Sequence, residues 1–203
     1  MTEHVKTEIE AGIMTLTLAR PDKKNALSNA MYSAMSDGLE RAEKDPAVRV
    51  VLFQGDGDSF TGGNDISDFS AQANGTDTSE SQAHRFISTI SKATRPVVAA
   101  VQGNAVGVGT TMLLHCDLVY LADTAKLMTP FVNLALVPEA ASSWLLPARI
   151  GHVRLRDVCA RRTSRCRNRF GLRLGQCCCA GRGVARQGPR GGRSSDKAAG
   201  RFA

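Results

Sequence analysis

Apolar and polar residues alternate with a period of two over Val5–Ile9 and again over Ile13–Leu18, on either side of Ala11-Gly12. That pattern predicts a β-hairpin. After a turn at Arg20–Asn25 the period lengthens, and Met31, Met35, Leu39 and Ala42 recur at helical spacing. Ser28 is a suitable N-cap for this helix, and Asp45-Pro46 stops it near Lys44. A short apolar strand over Val48–Phe53 follows, then the turn Gln54–Asp58 and a glycine-rich turn at Phe60–Asp65. Residues 70–80 read as a polar loop, and Ser81–Lys92 as a helix with Phe86, Ile87 and Ile90 apolar. Pro96–Val101 is a buried strand, Gly103–Gly109 a turn, Thr110–His115 a helix and Asp117–Ala122 a second buried strand. Leu127–Met128 is short and strand-like, and Glu139 is expected to open a last helix. Strands and helices alternate without a linker, so the class is α/β in one domain.

The patterning ends near Gly151, and composition changes there. Of the 203 residues, 1–153 hold 12 Lys and Arg against 17 Asp and Glu, whereas 154–203 hold 14 against 2. The net charge of +7 is therefore a property of the tail alone. Five of the six cysteines also lie there, and thirteen of its basic residues are arginine. The body is thus 1–151 and the Arg/Cys/Gly-rich tail, expected to be disordered, is 152–203. Three readings of the tail stand beside one another: a basic nucleic-acid arm, a cysteine metal site, and the product of a shifted reading frame. No C-x-x-C pair recurs at zinc spacing and no histidine follows the cysteines. The abrupt loss of periodicity in mid-element favours the frameshift, so neither a nucleic-acid partner nor a metal is expected. The polar, acidic start predicts no signal peptide, and no apolar run reaches a membrane-spanning length. One cysteine in the body, Cys116, suits a reducing compartment, so a cytoplasmic location is expected.

Candidate chemistry sits in two turns and one carboxylate. Gly62-Gly63-Asn64-Asp65 follows one predicted strand, and Gly103–Gly109 follows another and opens a helix. Glycines let such turns present N–H groups unobstructed, and two facing turns can hold an oxyanion from both sides. Taken alone, each turn reads first as a simple chain reversal. Glu139 is the only acidic residue between Asp123 and Asp157, in a mostly apolar run. Surrounded by hydrocarbon, its carboxyl would have a raised pKa and could take and return a proton. The alternative is a solvated glutamate at a helix start, since Pro138-Glu139 is also a good first-turn pair. Asp65 reads either as catalytic or as the cap of its turn. His115 reads as structural, His4, His84 and His152 show no pairing, and Trp144 reads as core or pocket wall.

Five collinear segments resemble the enoyl-CoA hydratase/isomerase (crotonase) superfamily: Arg20–Leu27, Phe60–Phe69, Arg95–Gly109, Cys116–Asp123 and Thr129–Pro147. The resemblance implies a crotonase-type spiral of ββα units, assembled as a homotrimer or hexamer and acting on acyl-CoA thioesters. It maps the thioester oxyanion donors onto the backbone N–H groups of Asn64 and Val108. It gives Lys24, Ala26, Gly62, Gly63, Asp65, Ile66 and Gly107 as substrate-binding positions, with no cofactor beyond the coenzyme A of the substrate. Hydrating members carry two glutamates where this chain has Thr111 and Phe131. With that pair absent, the resemblance points to the Δ3,Δ2-enoyl-CoA isomerases, with Glu139 as the single base. A hydratase-like activity and an inactive truncated product stay open beside it.

Overall fold

The computed structural model describes residues 2–67 and 82–151, together with the backbone of residues 164–165 and 177–179. The expectations for the loop 70–80 and for most of the tail lie outside these residues.

Strands β1 (Val5–Glu10) and β2 (Ile13–Leu18) pair antiparallel, with Ala11 and Gly12 both at positive φ in the turn. The inward face of β2 buries Met14, Leu16 and Leu18, as its alternation requires. The next strand, β3 (Val50–Gly55), runs parallel to β2 and so needs a crossover, which helix α1 (Asn29–Lys44) supplies. Ser28 caps α1 by accepting from the Met31 N–H at 3.4 Å. The predicted face of Met31, Met35, Leu39 and Ala42 is buried. A Cβ on Gly38 would lie 2.8 Å from a Leu16 methyl, so glycine lets α1 lie close on β2. Strand β3 starts two residues later than the sequence predicts. Val48 is buried, but its N–H closes a turn onto Asp45 O, and the ladder to β2 begins only at Val50 opposite Ile13.

Two sheets grow side by side. Strands β4 (Val97–Val101) and β6 (Leu118–Ala122) extend the large sheet in the order β1-β2-β3-β4-β6-β9, where β9 is Cys177–Cys179. A smaller sheet holds β5 (Asn104–Val106), β7 (Lys126–Met128) and β8 (Ser164–Arg165). The turn expected over Gly103–Gly109 thus contains a strand, too short at three residues to show a period. The helix expected at Thr110–His115 is α3 (Val108–Thr111), running on as a 3-10 turn over Met112–His115. The chain advances by a repeated step: a strand in the large sheet, a strand in the small one, then a helix. The runs β4-β5-α3 and β6-β7-α4, with α4 at Ser142–Ile150, follow it directly. Thr61 bridges Ala105 in parallel, so β3, Thr61 and α2 (Gln82–Ser91) follow the same step. The result is the α/β spiral of ββα units.

Rings of Tyr32, Phe53 and Phe86 meet where α1, α2 and the large sheet converge, with Tyr32–Phe86 centroids 5.7 Å apart and Phe53–Phe86 6.1 Å. Trp144, read from sequence as core or pocket wall, is 77% exposed and does not belong to the core. It lies on the outer side of α4, where Leu146 and Ile150 turn inward.

The loop before α1 is organised by Asn25, which is fully buried at φ 54°. Its Oδ1 accepts from the Arg20 N–H at 2.8 Å, and its amide nitrogen donates to Asp56 O at 2.9 Å and Ser59 O at 2.8 Å. Its own carbonyl accepts from the Thr61 hydroxyl at 2.7 Å. Substituting Asn25→Ala leaves the Arg20 N–H and the Asp56 and Ser59 carbonyls without this partner and puts an alanine in the left-handed region. We expect a loss of about 3 kcal/mol or more, measured by urea unfolding, with Asn25→Gly less costly because it keeps the backbone freedom.

Candidate functional site

The two glycine-rich turns are zipped together along the small sheet. The Thr61 N–H donates to Asn104 O at 3.0 Å and the Val106 N–H to Thr61 O at 3.1 Å. The contact has no room for larger residues. At Gly63, with φ of 92°, a Cβ would lie 3.0 Å from Val106 O, and at Gly109 it would lie 2.3 Å from the Thr61 methyl. Gly107 differs, because nothing lies within 4 Å of its would-be Cβ and it is the φ of 56° that calls for glycine.

This arrangement fixes the direction of two peptide N–H groups. Gly63 O accepts from the Leu27 N–H at 2.8 Å, and the Asp65 N–H donates to Leu27 O at 2.9 Å. A trans peptide points its N–H opposite its carbonyl, so the Asn64 N–H is directed away from Leu27. Gly107 O accepts from Thr110 N–H at 2.9 Å and Thr111 N–H at 3.0 Å. The Val108 N–H therefore points backwards, out of the start of α3. Neither N–H has an acceptor among the described residues.

Glu139 does not open a helix, contrary to the sequence expectation. It lies in the loop before α4, whose first helical residue is Ser142. Ala140 and Ala141 intervene at φ of 51° and 54°. Left-handed alanines cost about 1–2 kcal/mol each, and their neighbours hold them there. His115 Nε2 lies 3.0 Å from Ala140 O, and the Ser142 N–H donates to Glu139 O at 2.9 Å. Strained backbone of this kind persists where the surroundings over-determine it. Arg149 on α4 donates to Leu114 O at 3.0 Å and so fastens the far side of the loop.

The Glu139 side chain is half-buried, and the Thr111 hydroxyl donates to its Oε1 at 2.5 Å. Burial raises its pKa above the ordinary glutamate value, while the Thr111 hydrogen bond and the His84 charge oppose that rise. Tyr32 closes the arrangement from α1. Its ring is 3% exposed and its hydroxyl donates to Asn64 Oδ1. Burial pushes its phenol up, and the negative charge of Glu139 adds to the effect. Glu139 thus connects through Thr111 to the helix that carries Val108, and shares the Tyr32 environment with Asn64.

The other predicted site residues surround the first turn. Lys24, at φ 52°, accepts the Gly62 N–H at 2.7 Å through its carbonyl, while its exposed Nζ pairs with Asp58 at 2.9 Å. Ala26 O accepts from Arg20 Nη1 at 3.3 Å. Both oxygens of Asp65 are engaged: Oδ1 accepts from Ser67 N–H and hydroxyl at 3.0 and 2.5 Å, and Oδ2 pairs with Arg20 at 2.6 Å. The Ser67 bonds first, then Arg20, hold its carboxyl down at about 2. Asp65 therefore closes its turn. Ile66 beside it is exposed, and Phe131 is buried. Among the described residues no three His, Cys, Asp or Glu side chains converge as a metal-binding group.

Sequence reading passed over Tyr32 and set His84 down as unpaired. Tyr32 sits next to Met31 within an ordinary amphipathic helix, and no local signal marks its hydroxyl. His84 is distant in sequence from Glu139 and acts on it through space.

A raised carboxyl pKa has a stability consequence. The folded state disfavours the charged form of Glu139, so the penalty is absent below the unfolded glutamate value and complete once pH exceeds the folded one. Glu139→Gln should raise the melting temperature by a few degrees at pH 8 and bring no gain near pH 4. Thermal unfolding monitored by circular dichroism at the two pH values checks both the sign and the window.

Comparison with known proteins agrees with this architecture. The family model for enoyl-CoA hydratase/isomerase matches residues 8–164. The 1,2-epoxyphenylacetyl-CoA isomerase of Escherichia coli (strain K12) is 33% identical over 159 residues, covering 76% of this chain and 61% of the relative. Enoyl-CoA delta isomerase 2 of Rattus norvegicus is 35% identical over 153 residues, covering 73% of this chain and 39% of the relative. The solved structure of Pseudomonas aeruginosa OdaA superposes with a TM-score of 0.80 at 44% identity, covering 88% of this chain and 72% of that one. The alignments thus span less than two thirds of the length of both curated relatives. The repeated ββα step, the zipped glycine turns and the match over residues 8–164 together make this chain a member of the enoyl-CoA hydratase/isomerase (crotonase) family.

Proposed function

We propose that this chain acts on acyl-CoA thioesters and moves a double bond from C3–C4 to C2–C3, with Glu139 as its single base. The observation that carries the reading is the half-buried Glu139 carboxyl held by Thr111, on the helical turn that also presents the Val108 N–H. Thr111 and Phe131 occupy the places where hydrating members carry glutamates, so the residues that would activate water for addition are missing there.

In this mechanism the thioester carbonyl accepts from the Asn64 and Val108 N–H groups. The Glu139 carboxylate removes a proton from C2, and the C–H electrons move onto the thioester oxygen as a dienolate. The two amides stabilise that charge at the moment it forms, which is usually the largest catalytic contribution. Glu139 then returns the proton to C4, and the electrons flow back to form the C2–C3 double bond. Atoms and charge balance with one carboxyl group, and the coenzyme A belongs to the substrate. Lys24, Ala26, Gly62, Gly63, Asp65, Ile66 and Gly107 line the approach to the amides as substrate-binding positions, Asp65 through its hold on the turn. By likeness to its family the chain would work as a homotrimer or hexamer, which size-exclusion chromatography reads directly.

A second reading, water addition to a 2-enoyl-CoA by Glu139 alone, is favoured by the family's double character. Paired assays with a 3-enoyl-CoA and a 2-enoyl-CoA separate the two. We expect turnover of the first and little of the second. Glu139→Ala should lower kcat for the 3-enoyl-CoA by roughly 10²–10⁴-fold. Full activity of that variant would end the single-base reading. Because the base must be ionised, the rate should fall as pH drops through a midpoint above the ordinary glutamate value.

A further inference from the structure

Thr111 is fully buried, and its hydroxyl has two oxygens within reach: Glu139 Oε1 at 2.5 Å and Val108 O at 3.4 Å. A hydroxyl has one proton to donate. The short bond to a carboxylate outcompetes a neutral contact near the outer limit of hydrogen bonding. The Thr111 proton therefore goes to Oε1, which becomes the less basic oxygen of the pair. Oε2 has no hydrogen-bond donor among the described residues.

The backbone gives this contact a second effect. The Thr111 N–H is bonded to Gly107 O, the carbonyl of the same peptide unit whose N–H belongs to Val108. Threonine is stiff at χ1, so little freedom remains between that peptide and the hydroxyl. We propose that Thr111 is a positioning residue: it holds Oε1, leaves Oε2 to carry the proton, and fixes that oxygen relative to the Val108 N–H. This rests on the isomerase reading above. The proton removed from C2 goes to Oε2 and returns from it to C4, while the Thr111 proton never leaves its oxygen. The other charged group that acts on Glu139 is His84 from α2, while Tyr32 from α1 feels the Glu139 charge and His115 fixes the loop through Ala140 O.

The test compares Thr111→Val, nearly isosteric but without a donor, with Thr111→Ser, which keeps one. For Thr111→Val we expect an unchanged KM for a 3-enoyl-CoA, a fall in kcat of about tenfold or more, and an acidic limb of the pH–rate profile moved to higher pH. Thr111→Ser should restore both kcat and the limb. A Thr111→Val enzyme that loses only thermal stability, with kcat and limb in place, would overturn the proposal. A readout without turnover separates this inference from the reading beneath it: carboxyl 13C NMR titration of Glu139 in the wild type and in Thr111→Val. An upward shift in the variant supports the Thr111 contact even if the wild type fails to isomerise, an outcome that would overturn the isomerase reading instead. Identical titrations in the two proteins overturn the Thr111 proposal.

Discussion

The buried residue Asn25 fastens the turn before α1 to the segment that follows β3. Its side chain ties the Arg20 turn to the carbonyls of Asp56 and Ser59, while its own carbonyl takes the Thr61 hydroxyl. These are peptide groups withdrawn from water, and each left unpaired would cost its full desolvation. Because Thr61 in turn pairs with β5, this one residue, through its side chain and its own carbonyl, links the first glycine turn to the second. Asparagine suits the place because it tolerates the left-handed conformation and offers donors and an acceptor on one short stem.

From that anchor the site is assembled by backbone rather than by side chains. The Asn64 and Val108 N–H groups owe their directions to the carbonyls on the other side of their peptide planes, which Leu27, Thr110 and Thr111 hold. Such donors need no reorganisation when charge develops before them. The glycines matter here by what they omit. Gly63 and Gly109 give up side chains so that the two turns can touch, and Gly107 supplies a dihedral angle.

Glu139 is held in a different way. Its loop contains two alanines in an unfavourable backbone conformation and a carboxyl whose ionised form is penalised by burial. Both features cost stability, and the carboxyl they position meets Thr111 on the helical turn that starts at Val108. The loop is held by His115 at Ala140 O, and α4 behind it by Arg149 at Leu114 O. In the proposed reaction this carboxyl is the base, and the scaffold around the loop is what would hold it in place.

The repeating periods, the helix cap at Ser28, the buried strands and the glycine turns were legible in the residues, because each reflects a local rule of backbone geometry or burial. The five collinear segments then carried the fold. Boundaries at β3 and the strand β5 were not legible, since pairing partners far along the chain decide where a ladder begins and whether three residues count as a strand. The loop character of Glu139 was hidden for the same reason: Pro138-Glu139 has helix-start chemistry, but His115 at Ala140 O holds the next residues off the helical path. The exposure of Trp144 depended on how α4 is rotated against its neighbours, which its own residues do not fix. The sequence by itself determined which residues can turn, cap, alternate or ionise. The tertiary structure alone decided that Thr111 meets Glu139 and Tyr32 meets Asn64, because hydrogen bonds between segments 28 and 32 residues apart arise only when folding brings them within bonding distance.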